Sequence, residues 1–371
     1  MRKRDGSVWA TGNNDYGQLG DQSRTHSTRF VKVIPRDAKA VGAGWDFSLV
    51  LARNGSVWVT GNEDVGPFAP VPESKAGAKR PSTGVIAIAA GANHSLALKK
   101  DGSVWAVGDN QFGQLGDATK LESETYFRVM QSEAKAIAAG GRHSLVLKRD
   151  GTLWAAGSNA EYQLGLLFPK DTKVFTEVTV DVKAVSAGSF FTLILRNDGS
   201  VLAAGRNHAG QLGDKTRTSK ELFTPVIPSG VVAVAAGDLH SLALKQDGSV
   251  WATGSNSRGQ LGDDSKDRTE FVEVISGAVA VAAGYGRSVV LKTDGQVWVA
   301  GANENGQLGD GTTDDVRKFK AVISLAIGPP GEVLLSPLCR PVLSPCVLSP
   351  CNIFKSPRLS VECFHSLSYP T

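Results

Sequence analysis

An Asp-Gly or Asn-Gly step returns at Asp5, Asn54, Asp101, Asp150, Asp198, Asp247 and Asp294, at intervals of 49, 47, 49, 48, 49 and 47 residues. A period that regular means one supersecondary unit stacked repeatedly, each copy burying the face its neighbour leaves open. The copies are close: DGSVWATGNNDYGQLGD at 5–21, DGSVWAVGDNQFGQLGD at 101–117 and DGSVWATGSNSRGQLGD at 247–263. An enzyme needs its site once, so residues that recur in every copy are expected to build the molecule rather than to act on a substrate.

One unit, VAVAAGDLHSLALKQDGSVWATGSNSRGQLGDD at 232–264, divides into parts with separate physical readings. VAVAAG is a short apolar strand ending in small residues, which suits a place where strands crowd together. HSLALK alternates and reads as a half-buried strand. SVWATG follows the Asp-Gly step directly. Two alternating strands joined there form a hairpin, because glycine accepts the positive φ that the turn requires. A fourth strand is expected beyond the GxNxxGQLGD loop, in RFVKVI at 29–34 and EFVEVI at 270–275. Four short antiparallel strands per unit, repeated seven times, predict an all-β, seven-bladed β-propeller, with a linear solenoid as the rival arrangement.

Composition bounds the remaining choices. Glycine, at 42 of 371 residues, exceeds the usual share of about 7% and points to many tight turns. A net charge of +4 over this length gives no argument for nucleic acid or an acidic membrane surface. No apolar run approaches the roughly 18 residues of a membrane span. MRKRDGSVW enters the repeat at once and lacks the apolar stretch of a signal peptide, so a cytoplasmic or nuclear location is expected. Cys339, Cys346, Cys351 and Cys363 all lie near the C-terminus with no Cys-x2-Cys spacing, and read as free thiols.

The pattern AGxxHSLALKxDGSVWxxGxNxxGQLGD resembles the repeat of the regulator of chromosome condensation family over residues 1 to about 323. The resemblance implies a seven-bladed propeller of four-stranded antiparallel blades. The Trp-Asp signature of forty-residue propeller repeats and the double glycine of kelch blades are both missing.

Seven hairpins are preceded by only six AGxxHS strands, so the first blade begins at its third strand. The segment AIGPPGEVLL at 326–335 aligns without a gap on AAGDLHSLAL at 235–244, with Gly328 on Gly237. Residues 325–335 are therefore expected to supply closing strands to blade one, as a clasp between the chain ends. Closure of that kind would remove two exposed sheet edges. The propeller is expected to occupy 1–335. Residues 336–371 are expected to form a disordered tail, because prolines at that density exclude central strands and helix interiors.

Candidates for chemistry reduce to construction. His94, His143 and His240 share one register in separate blades and are expected to hydrogen-bond backbone within their own blade, not to meet on a metal. Trp9, Trp58, Trp105, Trp154, Trp251 and Trp298 share the offset after the turn and read as packing residues between sheets. The glycine-rich GxNxxGQLGD loop lacks the Gly-Lys-Ser/Thr of a phosphate loop. Its Leu19, Leu115, Leu212, Leu261 and Leu308 read as anchors onto the blade. No catalytic residue, cofactor or metal is expected.

In a repeat protein recognition should sit where the repeats differ. The two residues after Ala-Gly fall at a strand-to-strand turn, and the candidate partner-binding face comprises Trp45, Asp46, Asn93, Arg142, Phe190, Asp238, Leu239 and Tyr285. Aromatic and arginine side chains are the usual anchors of protein interfaces. A plant ultraviolet photoreceptor of this family carries repeated Gly-Trp-Arg-His-Thr here. This chain has only Trp45, followed by Asp46, which removes light sensing. Two further departures are VGPFAPVPESKAGAKRPSTG at 65–84 and EYQLGLLFPKDTK at 161–173, the latter with Leu166, Leu167 and Phe168. The expected function is a non-enzymatic scaffold that binds another protein. The alternatives are guanine-nucleotide exchange on a Ran-like small GTPase, a substrate-recruiting module associated with a ubiquitin ligase, and an enzyme inhibitor.

Overall fold

The computed structural model describes residues 1–3, 5–62, 78–80 and 84–324. Within them the chain is an all-β propeller with four-stranded antiparallel blades. Blades are numbered here by the repeat whose hairpin they contain. Blade 6 shows the pattern: Val231–Ala236, His240–Lys245, Val250–Gly254 and Arg268–Ile275 pair in chain order. Blades 2, 3, 4, 5 and 7 repeat it. The outer strand of blade 2, Ala78–Arg80, is short.

Local chemistry explains the order of the strands. At each hairpin an acidic or amide side chain holds the turn: the Asp101 carboxylate accepts from the Ser103 hydroxyl at 2.6 Å and the Ser103 amide at 2.9 Å. Gly102 follows at φ +81°, where a Cβ would also lie 2.7 Å from the backbone nitrogen of Glu133. A residue with a side chain would face strain and collision together. The inner strands are rich in Ala and Gly because neighbouring blades meet there. A Cβ placed on Gly42 of blade 2 would stand 3.5 Å from the Cβ of Ala90 in blade 3.

The core lies in the wedges between blades. One apolar cluster joins blades 2 to 4 around Leu96, Leu98 and Ile137, and further clusters lie between blades 4 and 5, 5 and 6, and 6 and 7. Sheet 1 is two-stranded among the described residues: Val8–Gly12 pairs with Ser27–Ile34. It lies between the last blade and the first four-stranded one. Thr11 Oγ1 donates to Gly306 O at 2.8 Å on one side, and Val8 packs with Ala38 and Val50 on the other. The modules therefore close into a ring, which excludes the linear solenoid.

Two expectations about the first repeat meet different outcomes. Its first strand among the described residues is Val8–Gly12, at the third-strand position as expected. Residues 1–3 run antiparallel to Val8–Gly12, with Met1 N and Trp9 N each bonded to the other residue's carbonyl, at 2.7 and 2.8 Å. The expected closing segment 325–335 and the tail 336–371 lie outside the described residues, as does nearly all of the excursion at 65–84. Six blades thus have four strands, and the count of seven rests on completing sheet 1. Beside that sheet, an apolar cavity of about 150 Å³ is lined by Val8, Ala10, Val33, Val41, Val50 and Trp58 among others.

Candidate functional site

Successive strands alternate in direction, so the turns after the first strand and the loops after the third emerge on one side of the ring. That side carries the residues that vary between repeats, and chemistry that recurs in the modules fixes the loops around them. In each GxNxxGQLGD loop a buried asparagine acts as a hub. Asn207 Oδ1 accepts from Leu212 N at 2.9 Å while Nδ2 donates to Asp214 Oδ1 at 2.8 Å and to Thr216 and Thr218 carbonyls. The leucines Leu19, Leu115, Leu212, Leu261 and Leu308 are buried as the anchors expected of them.

The histidines are structural, but their bonds differ from the expectation. His94 Nε2 lies 2.9 Å from Ser144 Oγ, His143 Nε2 lies 3.1 Å from Thr192 Oγ1, and His240 Nε2 lies 2.9 Å from Ser288 Oγ. Each partner hydroxyl belongs to the next blade and itself donates to a loop carbonyl of the blade bearing the histidine, as Ser144 does to Gln114 at 2.6 Å. The ring is thus a staple between blades rather than within one. The backbone of its own blade is already paired in strands, whereas the neighbouring hydroxyl is free to face it. Glycine three residues earlier makes room: a Cβ on Gly140 would meet the His143 ring and lie 2.6 Å from Gly188 O. Burial pushes His94 and His240 down to about 4 and His143 to about 3, with His94 adding to the shift of His143. All three are neutral at pH 7 and engaged with separate hydroxyls.

The repeated tryptophans are half-buried and pack beside the wedges, with one feature the sequence reading missed. A lysine from the end of the second strand covers the ring: Lys99 on Trp105 at 4.0 Å, Lys148 on Trp154 at 3.8 Å, Lys245 on Trp251 at 3.5 Å. The signal was legible as the Lys at a fixed six-residue offset before each Trp, absent before Trp58, where Ala52 stands.

The turn residues are linked to one another by backbone bonds across blades. Trp45 N donates to Ala92 O, Ala92 N to Gly140 O and Gly141 N to Gly188 O. Side chains on this track are therefore presented from a fixed frame. Trp45 and Tyr285 are exposed, at 43% and 56%, and Arg142 is exposed. Asp46, Asn93, Phe190, Asp238 and Leu239 are half-buried. Three of the expected residues thus stand clear of the surface, and five line it.

Phe190 is held in a stack. The Arg142 guanidinium lies 4.6 Å from the centre of the Phe112 ring and 5.8 Å from that of Phe190, and Arg206 covers Phe190 at 4.2 Å. Arg206 in turn pairs with Glu161 at 2.6 Å. This alternation of rings and guanidinium groups crosses blades 3, 4 and 5. Sequence reading found Arg142 and Phe190 but not Phe112 or Arg206, because those enter from the long loops. On the same side, Leu167 and Phe168 of the 161–173 departure are exposed, while Leu166 packs against the core.

Among the described residues no group of His, Cys, Asp or Glu is placed to hold a metal ion, and no helix is long and apolar enough to cross a membrane.

A family model described as RCC1-like domain matches residues 1–228 and 81–333. No curated protein matches the sequence. Among solved structures, yeast RCC1 (Prp20) bound to Kap60 superposes with a TM-score of 0.77 at 23% identity, covering 86% of this chain and 84% of that one. Prp20p from Saccharomyces cerevisiae, studied for its binding to Gsp1p and histones, gives 0.76 at 22%, covering 88% of each chain. Human WBSCR16 gives 0.74 at 21%, covering 86% and 94%. At these identities the likeness establishes the fold.

Proposed function

The chain belongs to the RCC1-like domain family, and from that premise we propose that it is a non-enzymatic scaffold that binds another protein through the side of the ring carrying Trp45, Arg142 and Tyr285. The observation that supports this most is a division of labour. Residues that recur are consumed by internal bonds: the histidines by neighbouring hydroxyls, the loop asparagines by backbone and carboxylates, the turn aspartates by their own hairpins. Residues that vary at the Ala-Gly turns are left on a backbone frame, with the aromatic and arginine groups most exposed. Large rings and a guanidinium on a rigid frame are ordered at little entropic cost, which is what interface anchors require.

The test is capture from native lysate with the full chain and with a W45A/R142Q/Y285A variant that melts at the same temperature. Proteins recovered by the parent and lost with the variant support the reading, and identical recovery refutes it. Prp20p has been studied for binding to Gsp1p, which gives one specific alternative, nucleotide exchange on a Ran-like GTPase. Release of a fluorescent guanine nucleotide from such a GTPase, accelerated by the full chain, would place it with the exchange factors instead.

A further inference from the structure

Two arginines of the long loops on the candidate face are paired with carboxylates. Arg206 holds Glu161 at 2.6 Å, and Arg258 holds Glu304 together with Asp315, the latter at 2.7 Å. Arg142 lies nearer the axis, on a turn after a first strand, and among the described residues its guanidinium has no ion pair and no hydrogen bond. It has only rings: Phe112 of blade 3 at 4.6 Å and Phe190 of blade 5 at 5.8 Å. Asp109, a carboxylate in the same blade 3 loop as Phe112, accepts from Gln114 Nε2 at 3.0 Å and Gln111 N at 2.9 Å.

The consequence follows from the shape of the group. A guanidinium resting on a ring face keeps its N–H donors in its own plane, directed past the ring edge. Those donors form a planar fork that fits a carboxylate bidentately, and stacking removes much of the side-chain freedom that binding would otherwise have to freeze. The same phenylalanine already supports such a pair, because Arg206 lies over Phe190 and engages Glu161. We propose that Arg142 is the receptor for a carboxylate of the partner: an Asp or Glu side chain inserted at the Phe112–Arg142–Phe190 stack. This deepens the scaffold reading and rests on it, naming an acidic segment as what the face accepts.

The full chain, labelled with 15N, is titrated with a ten-residue glutamate peptide, the corresponding glutamine peptide and inorganic phosphate. The Nε–H signal of Arg142 is identified by its loss in R142K. The expected result is a shift of that signal with the glutamate peptide alone, weakened by added salt. The dissociation constant should rise about tenfold or more in R142Q, roughly the loss of one charge-assisted bond, with R142K also weakened because it lacks the fork. Arg142 is exposed, so both variants should melt with the parent. An unmoved signal, equal shifts with the glutamine peptide, or a larger response to phosphate would overturn the carboxylate assignment. A W45A/Y285A variant separates the two readings. If it loses captured partners while the Arg142 signal stays silent to the glutamate peptide, the face binds protein and only the acidic receptor falls.

Discussion

Replacing His94, His143 and His240 together by phenylalanine is expected to flatten the acid limb of the stability curve without unfolding the ring. The fold already contains the substitution: Phe47 and Phe191 occupy the histidine register in blades 2 and 5, fully buried, each against its own glycine. Ser241, the equivalent hydroxyl in the blade after Phe191, keeps its bond to Gln211 O at 2.6 Å. In the parent, burial lowers the three imidazoles from 6.5 to about 4, 3 and 4. A lowered folded-state value means that the unfolded chain takes up protons first. Stability is complete above about 6.5 and drains as pH falls from there toward the folded values. At pH 5 each ring has lost about 2 kcal/mol, and the three together about 6 kcal/mol, taking 1.36 kcal/mol per unit. Against a total of roughly 5–15 kcal/mol that is enough to bring the parent close to unfolding. Carboxylates do not confuse the comparison. The hydroxyl and amide of Ser103 hold Asp101 below its usual range, as Ser249 does for Asp247, so their contribution fades below pH 3.8. The Met1 amine, lowered by burial to about 5, adds a slope shared by both proteins. The assay is urea denaturation at pH 7.5 and 5.0. Parent and triple variant losing the same stability over that interval would refute the reasoning.

Other outcomes follow from single contacts. Gly140→Ala should cost about 1–3 kcal/mol or more in a denaturation midpoint, as overpacking against His143 and Gly188 O, and H143A in the same chain should recover part of the loss. Asn207→Ala should cost about 1–3 kcal/mol, because Leu212 N is left buried without its acceptor. If residues 325–335 close blade one, ending the chain at Ser324 should lower the melting temperature and raise binding of an apolar dye at the cavity lined by Val41 and Val50. An unchanged melt would remove the closing role. Lys245→Ala should shift the fluorescence of Trp251 and cost about 1 kcal/mol, as a half-buried cation–π contact.

Strand identity, hairpin position and the repeat were legible because each depends on neighbours in sequence. An Asp-Gly turn, a period-two strand and an asparagine reaching five residues ahead to Leu212 N are local matters, and the spacing of 47 to 49 residues carries them into a stack. The histidines were read correctly as structural and incorrectly as serving their own blade. Ser144 lies 50 residues beyond His94, and nothing in the spacing says which hydroxyl a neighbouring blade turns inward. The turn after Ala-Gly was legible as the place where copies differ. Which of its residues are exposed was not: Trp45, Arg142 and Tyr285 are exposed, while Phe190 is half-buried beside two guanidinium groups.

What the sequence determined by itself is the module and its repetition, since short-range backbone and packing preferences suffice to write four strands and to copy them. What only the tertiary structure decided is the set of relations between copies: the closure of the ring through Thr11 and Gly306, the histidine staples, and the stack of Phe112, Arg142, Phe190 and Arg206. Those relations arise where side chains from three blades converge, and their geometry is fixed by how the blades pack, not by the order of residues along any one of them.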